Sequence, residues 1–369
     1  MFTSALNHTK NTLFEASVRY LRADKIIQYL PSIQSTFGKM HSKPTFKSYK
    51  NLSVQILPAL EDNYMYCVID NENKHAVIID PADASVVDNF LEENPDIVLK
   101  GVLATHHHWD HCGGILELQE KRSSKRVISV EHSRESPDSA ETSPPLNCAA
   151  AFACQPTASS LSSDNQHKPK TIIDLLPVYG GDDRVDGLTH KLTPNFNLNQ
   201  DFTHIELSKN LKFKVFFTPC HTTGHICFYN EENGFIFTGD TLFLTGCGRF
   251  FEGTGPEMNK NLNKTLSVLP DDTEIYCGHE YNLAGLKFAK AVEPSNSNID
   301  EYIAKCKIVR SKNPPEPTVP GTLKQERLTN PFLRLDSLEL RKNVGCESED
   351  GDLVMTALRK FKDNWRPNV

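Results

Sequence analysis

The sequence predicts an α+β fold in which a domain of mixed strands and helices precedes a helical C-terminal domain. Three observations lead to this prediction. Runs typical of β-strands alternate with helical segments from residue 51 to about residue 290. Apolar side chains then recur at helical spacing over residues 299–312. At 369 residues the chain is long enough for two domains, which we place at residues 51–292 and 293–369.

The elements of the first domain begin with a hairpin-like pattern. Polar residues 71–74 supply a turn between two apolar runs, and a helix is predicted over residues 86–92. The predicted strands are residues 53–57, 65–70, 76–80 and 97–103. In the second domain, the proline-rich residues 314–317 end the first helix, and a last helix is predicted over residues 353–361.

Two segments differ in composition from the rest of the chain. Residues 1–50 carry eight Lys or Arg against two acids, Glu15 and Asp24, which is the composition of a mitochondrial transit peptide. A loosely docked or disordered extension is the alternative interpretation. Residues 128–178 are rich in Ser, Pro, Ala and Thr and have few large apolar residues. We predict that this second segment is disordered, because it cannot bury enough apolar surface to offset the entropy of ordering.

Composition excludes several classes of function. The net charge of −7 gives no basis for nucleic-acid binding. No apolar run approaches the ~20 residues that a membrane-spanning helix needs, so we expect no membrane span. The ten cysteines show no paired spacing, which favours free thiols in a reducing compartment.

The strongest functional signal lies just after the predicted strand that ends at Leu103. Four side chains that commonly bind metals, His106, His108, Asp110 and His111, fall within six residues. This mixture of imidazoles and a carboxylate suits zinc, manganese or iron better than calcium. A structural zinc site would be expected to use thiolates or a closed set of four ligands. The sequence therefore predicts an open, catalytic metal site that holds water.

Three further residues fit the same site. His221, Asp240 and His279 each follow a short β-type stretch, and Gly or Pro stands near each of them. Strands that end at one edge of a sheet can each supply a ligand from a rigid scaffold. We predict that these three residues join the first cluster.

These motifs together resemble the metallo-β-lactamase superfamily, and more closely glyoxalase II, the hydroxyacylglutathione hydrolases. The resemblance covers roughly residues 51–126 and 178–369. It rests on His-x-His-x-Asp-His at 106–111, Pro-Cys-His-Thr at 219–222, Thr-Gly-Asp-Thr-Leu-Phe at 238–243, Cys-Gly-His-Glu-Tyr at 277–281, Tyr-Gly-Gly-Asp-Asp-Arg at 179–184 and Asn-Pro-Phe at 330–332. It implies an αββα sandwich for the first domain, with residues 128–178 as an insertion.

The resemblance also implies a centre with two divalent ions. Zinc is the expected metal, with iron and manganese as alternatives. One ion would be held by His106, His108 and His221, the other by Asp110, His111 and His279, and Asp240 would bridge them. Asp110 and Asp240 are thereby the expected catalytic residues, since a water shared by two such ions loses a proton near neutral pH and becomes the nucleophile. Asp80, at the end of an apolar strand, is a candidate to orient a ligating histidine.

The implied substrate is a glutathione thioester, S-(R)-lactoylglutathione, which is hydrolysed to D-lactate and glutathione. The residues implied to bind glutathione are Arg249, Phe251, Tyr281, Arg359 and Lys362. Of these, Arg359 and Lys362 are expected to form an exposed basic pair. One departs from the family pattern, since the family usually has Tyr where this chain has Phe251. The chain is expected to act as a monomer. It is expected in the mitochondrial matrix, the cytoplasm or both, because the family serves both compartments and Met40 begins a shorter chain.

Two alternatives stay open on the sequence. A persulfide dioxygenase of the same superfamily would use one iron, but the chain keeps Asp110, His111 and His279 as well as a long helical C-terminus. A glyoxalase-like regulatory protein without activity is the second alternative. All seven ligand positions are filled, and a decaying site usually loses some of them.

Overall fold

Two β-sheets form the centre of the fold in the computed structural model, which describes residues 41–128, 170–194 and 202–366. Strands and helices are numbered along the chain. The strands of the first sheet are β1 Thr45–Ser48, β2 Leu52–Ala59, β3 Asn63–Asp70, β4 His75–Ile79, β5 Val98–Leu103, β8 Val178–Gly180 and β9 His190–Lys191. They lie in the order β1-β2-β3-β4-β5-β8-β9. The strands from β1 to β4 are antiparallel, and β4, β5, β8 and β9 are parallel.

The second sheet takes five strands from the later part of the predicted first domain and one, at Gly321–Thr322, from the predicted C-terminal domain. Its strands are β10 Phe202–Glu206, β11 Lys212–Phe217, β12 Ile226–Asn230, β13 Phe235–Gly239, β16 Glu274–Cys277 and β17 Gly321–Thr322. They lie in the order β10-β11-β12-β13-β16-β17. A short hairpin of β14 Leu242–Phe243 and β15 Gly246–Cys247 follows directly after β13.

The two sheets pack face to face through side chains that alternate along the strands. In β2, Leu52, Val54 and Ile56 are buried, whereas Ser53 and Gln55 are partly exposed. This period of two is what a strand with one buried face requires. Aromatic rings fill the space between the sheets, and the rings of Tyr66 and Phe237 lie 5.2 Å apart. Burial of this apolar surface is the main stabilising contribution to the sandwich.

The α-helices of the described residues pack against the two sheets or against one another. They are α1 Ala84–Glu93, α2 Trp109–Cys112, α3 Ile115–Arg122, α4 Gly255–Lys260, α5 Asn282–Val292, α6 Ser297–Arg310, α7 Leu323–Thr329, α8 Leu338–Asn343 and α9 Gly351–Asn364. Val87 of α1 and Leu118 of α3 share a buried cluster with Ile78 and Val102 of the first sheet. Side chains of the C-terminal helices, such as Leu358, join the buried cluster of the second sheet. Among the described residues, none of the helices combines the length and apolarity needed to cross a lipid bilayer.

The α+β prediction is therefore confirmed, including the helical C-terminus. The helices predicted over 299–312 and 353–361 are observed as Ser297–Arg310 and Gly351–Asn364. The prediction that residues up to 50 form a separate extension is wrong at its C-terminal end. Thr45–Ser48 pairs with β2, and Ser42 is buried. The rest of that segment, residues 1–40 with the proposed transit peptide, lies outside the described residues.

The predicted disordered segment 128–178 is also corrected at its C-terminal end. Ser123–Leu175 forms a separate unit, in which β6 Ser124–Ile128 and β7 Lys170–Asp174 pair as an antiparallel hairpin. The β-branched run at residues 171–173 explains this pairing. Val178 belongs to the first sheet, where it is buried beside Val102. Residues 129–169, where disorder was mainly predicted, lie outside the described residues.

Glu326 in α7 is a carboxyl group with no exposure to solvent. Its Oε2 accepts hydrogen bonds from the Thr245 backbone N–H at 2.6 Å and from Asn330 Nδ2 at 2.9 Å. Burial raises the pKa of Glu326 from 4.5 to about 8, although these two hydrogen bonds act in the opposite direction. The folded protein therefore retains a proton that the unfolded chain releases. As a result, the stability contributed by this group is full below pH 4.5 and is lost as the pH rises through 8.

We expect Glu326→Gln to remove this pH dependence. Between pH 6 and 8.5 the free energy of unfolding of the wild type should fall relative to that of the variant, by at most about 1.4 kcal/mol per pH unit. Urea denaturation at a series of pH values measures this difference. Glu347→Gln, at an exposed position, is the control and should run parallel to the wild type. A constant difference between wild type and Glu326→Gln across this range would contradict the assignment.

Candidate metal centre

The predicted ligands lie where strands of both sheets end at a common edge. His106 and His108 follow β5 of the first sheet, and Asp110 and His111 lie in α2 directly after them. In the second sheet β13 and β16 are parallel, and β11 runs in the same direction because β12 is antiparallel to both of its neighbours. The loops after β11, β13 and β16 carry His221, Asp240 and His279. The structure thus brings together all seven residues that the sequence singled out.

The first group of ligand atoms consists of three imidazole nitrogens. His108 Nδ1 lies 3.0 Å from His106 Nε2 and 3.1 Å from His221 Nε2. The three atoms all lie within 4.8 Å of one another. His106 and His221 are buried, and His108 is partly exposed. The group is therefore open to solvent on the His108 side.

The second group combines two imidazoles with a carboxylate. His111 Nε2 lies 3.2 Å from His279 Nε2, and Asp110 Oδ2 lies 3.5 Å from His279 Nε2. Asn63 Nδ2 donates a hydrogen bond to the same Asp110 oxygen at 3.2 Å and to the Asp110 carbonyl at 2.9 Å. This contact holds the Asp110 side chain in place, since it restrains both the carboxylate and the backbone.

Asp240 lies between the two groups. Its Oδ1 is 3.3 Å from His111 Nε2 and 3.4 Å from His279 Nε2, whereas its Oδ2 is 3.4 Å from His221 Nε2. One oxygen thus faces each group, which is the arrangement that a bridging carboxylate needs. Oδ1 is buried and accepts no hydrogen bond from the part of the chain that the structure describes. A buried carboxylate oxygen without a hydrogen-bond donor is expected to bind a cation.

Outer hydrogen bonds orient the histidines of the second group. His111 Nδ1 donates to Asp80 Oδ2 at 2.9 Å, and His279 Nδ1 donates to Asp62 Oδ1 at 2.7 Å. A carboxylate can only accept these bonds, so each histidine carries its proton on Nδ1 and turns the lone pair of Nε2 toward the centre. The proposed orienting role of Asp80 agrees with this geometry.

Two of the histidines in the first group are oriented by neutral partners. Thr105 Oγ1 donates to Asp80 Oδ2 at 2.6 Å and therefore accepts from His106 Nδ1, which lies 3.1 Å away. His221 Nδ1 donates to the Arg249 carbonyl at 2.9 Å. Both histidines then present Nε2 to the centre. Partners of this kind fix the tautomer and the ring position of ligating histidines in metal sites.

His225 is a residue of this centre that sequence analysis missed. Its buried ring stacks on that of His106, with ring centres 4.9 Å apart. Its Nε2 accepts the backbone N–H of Asp240 at 3.1 Å, so its Nδ1 is left to donate to Thr218 or Thr241, each 3.0 Å away. His225 therefore fixes the backbone of the central carboxylate. Asp62 was missed as well, because a turn aspartate between two strands carries no signal of its contact with a histidine more than 200 residues away.

The charges within the centre shift its pKa values. Burial would raise the pKa of Asp240, but the positive charges of His279 and His111 outweigh burial and hold that pKa well below its usual range. Burial would likewise lower the pKa of His279, but Asp240 raises it to about 9. Burial, and after it the charge of His221, lowers the pKa of His108 to about 4. At neutral pH the protein thus offers an ionised carboxylate and the neutral imidazoles of the first group, whereas His111 and His279, whose pKa values are raised, must each release a proton to ligate.

The chemistry of these donors fits divalent metal ions. Imidazole nitrogens converge at 3.0–3.2 Å in both groups, which is close to the spacing of nitrogen ligands around one cation. Nitrogen and carboxylate ligands are those that zinc and iron take in catalytic sites. We conclude that this edge of the sandwich is a divalent metal-binding site.

Two of the predicted substrate-binding residues line the rim of the centre. Phe251 is 60 % exposed, and its ring centre lies 5.2 Å from that of His221 and 5.8 Å from that of His108. The Tyr281 ring stacks on His279 with ring centres 4.8 Å apart, and the residue is 39 % exposed. Both aromatic residues therefore combine contact with a histidine of the centre and access from solvent.

The three predicted cations form a separate cluster. Arg249 is exposed. The expectation that Arg359 is exposed is wrong, because only 8 % of it is accessible. Its Nη1 donates to the Cys247 carbonyl at 3.3 Å, and its guanidinium lies 5.6 Å from the centre of the Phe332 ring. Lys362 is partly buried, with Nζ 4.3 Å from the centre of the Phe288 ring, and burial lowers its pKa to about 8.

Two known families together match the chain from residue 63 to residue 365. Residues 63–279 match the family described as "Metallo-beta-lactamase superfamily". Residues 280–365 match the family described as "Hydroxyacylglutathione hydrolase C-terminus". The boundary between the two matches falls directly after His279.

Several relatives are similar to the chain over nearly their whole length. The chain is 35% identical to "Hydroxyacylglutathione hydrolase cytoplasmic" of Arabidopsis thaliana, over 84% of this chain and 98% of that protein. It is 34% identical to "Hydroxyacylglutathione hydrolase-like protein" of Gallus gallus, over 85% and 91% of the two chains. It is also 34% identical to "Hydroxyacylglutathione hydrolase" of Shewanella halifaxensis, over 85% and 100% of the two chains.

Proposed function

Because the chain belongs to the hydroxyacylglutathione hydrolase family of the metallo-beta-lactamase superfamily, we propose that it hydrolyses S-(R)-lactoylglutathione to D-lactate and glutathione. The observation that carries this proposal is the position of Asp240, whose two oxygens face two separate groups of ligand atoms. A carboxylate placed in this way suits a centre with two ions.

His106, His108 and His221 would hold one divalent ion, and Asp110, His111 and His279 the other. Asp240 would contact both. Two ions bound here would lower the pKa of a shared water and polarise the carbonyl of the thioester. Zinc is the metal that we propose, with iron and manganese as alternatives, because all three accept mixed nitrogen and carboxylate ligands.

The protein's own groups fix the reacting partners. Asp110 and Asp240 supply acceptor oxygens to the centre, where the attacking water would lie. Asn63 restrains the carboxylate of Asp110 through a hydrogen bond. The open side, lined by His108 and Phe251, is where the thioester can enter. When the acyl carbon–sulfur bond breaks, the sulfur leaves as a thiolate. A thiol with a pKa of about 8.5 needs no strong acid to leave, so this reaction does not require a dedicated acid.

The glutathione part of the substrate requires cations, since it carries two carboxylates. We propose that Arg249, Arg359 and Lys362 bind these carboxylates and that Tyr281 and Phe251 contact the tripeptide. Charge-assisted hydrogen bonds from guanidinium groups suit carboxylates especially well. Phe251 lacks the hydroxyl that the family usually has at this position, so one hydrogen bond of roughly 0.5–1.5 kcal/mol is missing.

The decisive test is steady-state hydrolysis of lactoylglutathione, with metal content measured on the same purified sample. We expect saturable hydrolysis and two metal ions per chain. A small thioester without the tripeptide serves as the reference substrate and should be cleaved with a much higher KM. A single bound iron together with consumption of oxygen and a persulfide would instead support a dioxygenase. Full metal content without hydrolysis would support a regulatory protein.

A further inference from the structure

The cation cluster of the C-terminal helix contains a carboxylate that the proposed function does not use. Asp363 Oδ1 accepts a hydrogen bond from Arg359 Nη2 at 2.6 Å. The same oxygen lies 3.7 Å from Arg249 Nε. Asp363 therefore lies between two of the cations that we assign to glutathione, although they come from different parts of the chain.

The hydrogen bonds of Arg359 leave little room for a second anion. One terminal nitrogen donates to the Cys247 carbonyl and the other to Asp363. The third nitrogen, Nε, is buried and has no hydrogen-bond partner among the described residues. The Arg359 side chain is 9% exposed, whereas that of Asp363 is 42% exposed. A substrate carboxylate that approaches Arg359 from solvent must therefore come close to Asp363.

We propose that Asp363 determines specificity by competing with the carboxylate of glutathione thioesters for Arg359 and Arg249. This inference rests on the proposed function, since it presumes that these cations bind glutathione. A carboxylate that is already paired with a guanidinium repels a second carboxylate and occupies N–H donors that the second carboxylate would use. The competition weakens binding of both the thioester and the product glutathione, because the two carry the same carboxylates. Asp363 thereby favours release of glutathione after each turnover.

A purely structural role makes a different prediction. Arg359 and Asp363 are four residues apart on α9, and a pair with this spacing stabilises a helix whether or not a ligand binds. An attractive role toward the ammonium group of glutathione would make Asp363 a partner of the substrate. Removing the charge of Asp363 should lower KM if Asp363 competes with the substrate, leave KM unchanged if the pair is structural, and raise KM if Asp363 attracts the substrate. A single substitution therefore separates the three roles.

The test is Asp363→Asn in the full-length, metal-loaded protein. Asparagine keeps an oxygen that can accept from Arg359 but removes the charge. We expect the KM for lactoylglutathione and the inhibition constant for glutathione both to fall about two- to fivefold, which is the range for exposed ion pairs. The kcat/KM ratio of lactoylglutathione to a small thioester should rise accordingly. The differences should shrink with added salt, because screening weakens these charges.

Two companion variants sharpen the result. Lys362→Ala should change KM and the inhibition constant in the opposite direction, since it removes a cation of the same cluster. Glu349→Gln removes an exposed charge ahead of the same helix and should change neither constant. Unchanged constants in Asp363→Asn would overturn the inference in favour of a structural pair, and raised constants would overturn it in favour of an attractive contact. Both results leave the proposed function standing, whereas a wild type that does not hydrolyse lactoylglutathione would overturn both.

Discussion

Asp240→Ala is expected to abolish thioester hydrolysis and to remove at least one metal ion. The substitution deletes the oxygens that face both groups of ligand atoms. It also leaves His111 and His279, whose pKa values are raised by this carboxylate, without their central counter-charge. Loss of an outer hydrogen-bond partner alone weakens metal sites roughly 10- to 100-fold, so we expect the loss of a ligand to lower metal affinity by more than about 100-fold.

Metal analysis after gel filtration, together with kcat/KM for lactoylglutathione, measures this effect. Asp300→Ala is a matched control, because that exposed carboxylate pairs with Lys290 on the protein surface. The control should keep its full metal content and activity. If Asp240→Ala keeps two ions and turns over normally, the bridging role of Asp240 is wrong.

Gly248→Ala is expected to damage the centre without removing any ligand. A methyl group at Gly248 would overlap the Asp240 carbonyl oxygen and would lie 2.8 Å from His221 Nδ1. The backbone cannot retreat freely, because the Gly248 N–H donates to that same carbonyl at 2.9 Å. Displacement of reacting groups by about 1 Å can cost roughly 100-fold in rate. We therefore expect kcat/KM to fall by about this factor, with weaker metal retention.

The same hairpin supplies a matched control. A methyl group at Gly246, two residues earlier, would meet its nearest neighbour, Phe243 Cβ, at 3.8 Å, which is an ordinary contact. Gly246→Ala should therefore keep metal content and kcat/KM close to those of the wild type. Equal losses in the two variants would mean that the hairpin as a whole, rather than the close approach at Gly248, limits activity.

The metal centre could be predicted from sequence because ligand chemistry restricts which residues can serve. His106, His108 and His111 lie in one short motif, so their proximity follows from chain connectivity alone. Unlike Asp80, two other supporting residues of the centre could not be found in the same way. Asp62 and His225 act through hydrogen bonds whose partners are brought near only by the packing of the sheets. No local pattern marks such a contact.

The errors in the fold prediction have a related cause. Thr45–Ser48 and Lys170–Asp174 are short strands next to polar, low-complexity sequence, and composition averaged over the segment concealed them. Arg359 was expected to be exposed because arginine usually is. It is buried because the Cys247 carbonyl and Asp363 satisfy two of its nitrogens and Phe332 lies beside its guanidinium. Tertiary contacts decided each of these cases.

Because the centre takes its residues from both sheets, it cannot exist in a nascent chain until synthesis has passed His279 and the sheets have docked. His106 and His108 emerge from the ribosome long before their partners. Loading with metal is thus a late event in the biosynthesis of this protein, and it adds a cross-link between the sheets that the earlier folding steps lack. Without the metal the sandwich would lack this cross-link, and we expect proteases to cleave it more readily than the metal-loaded protein.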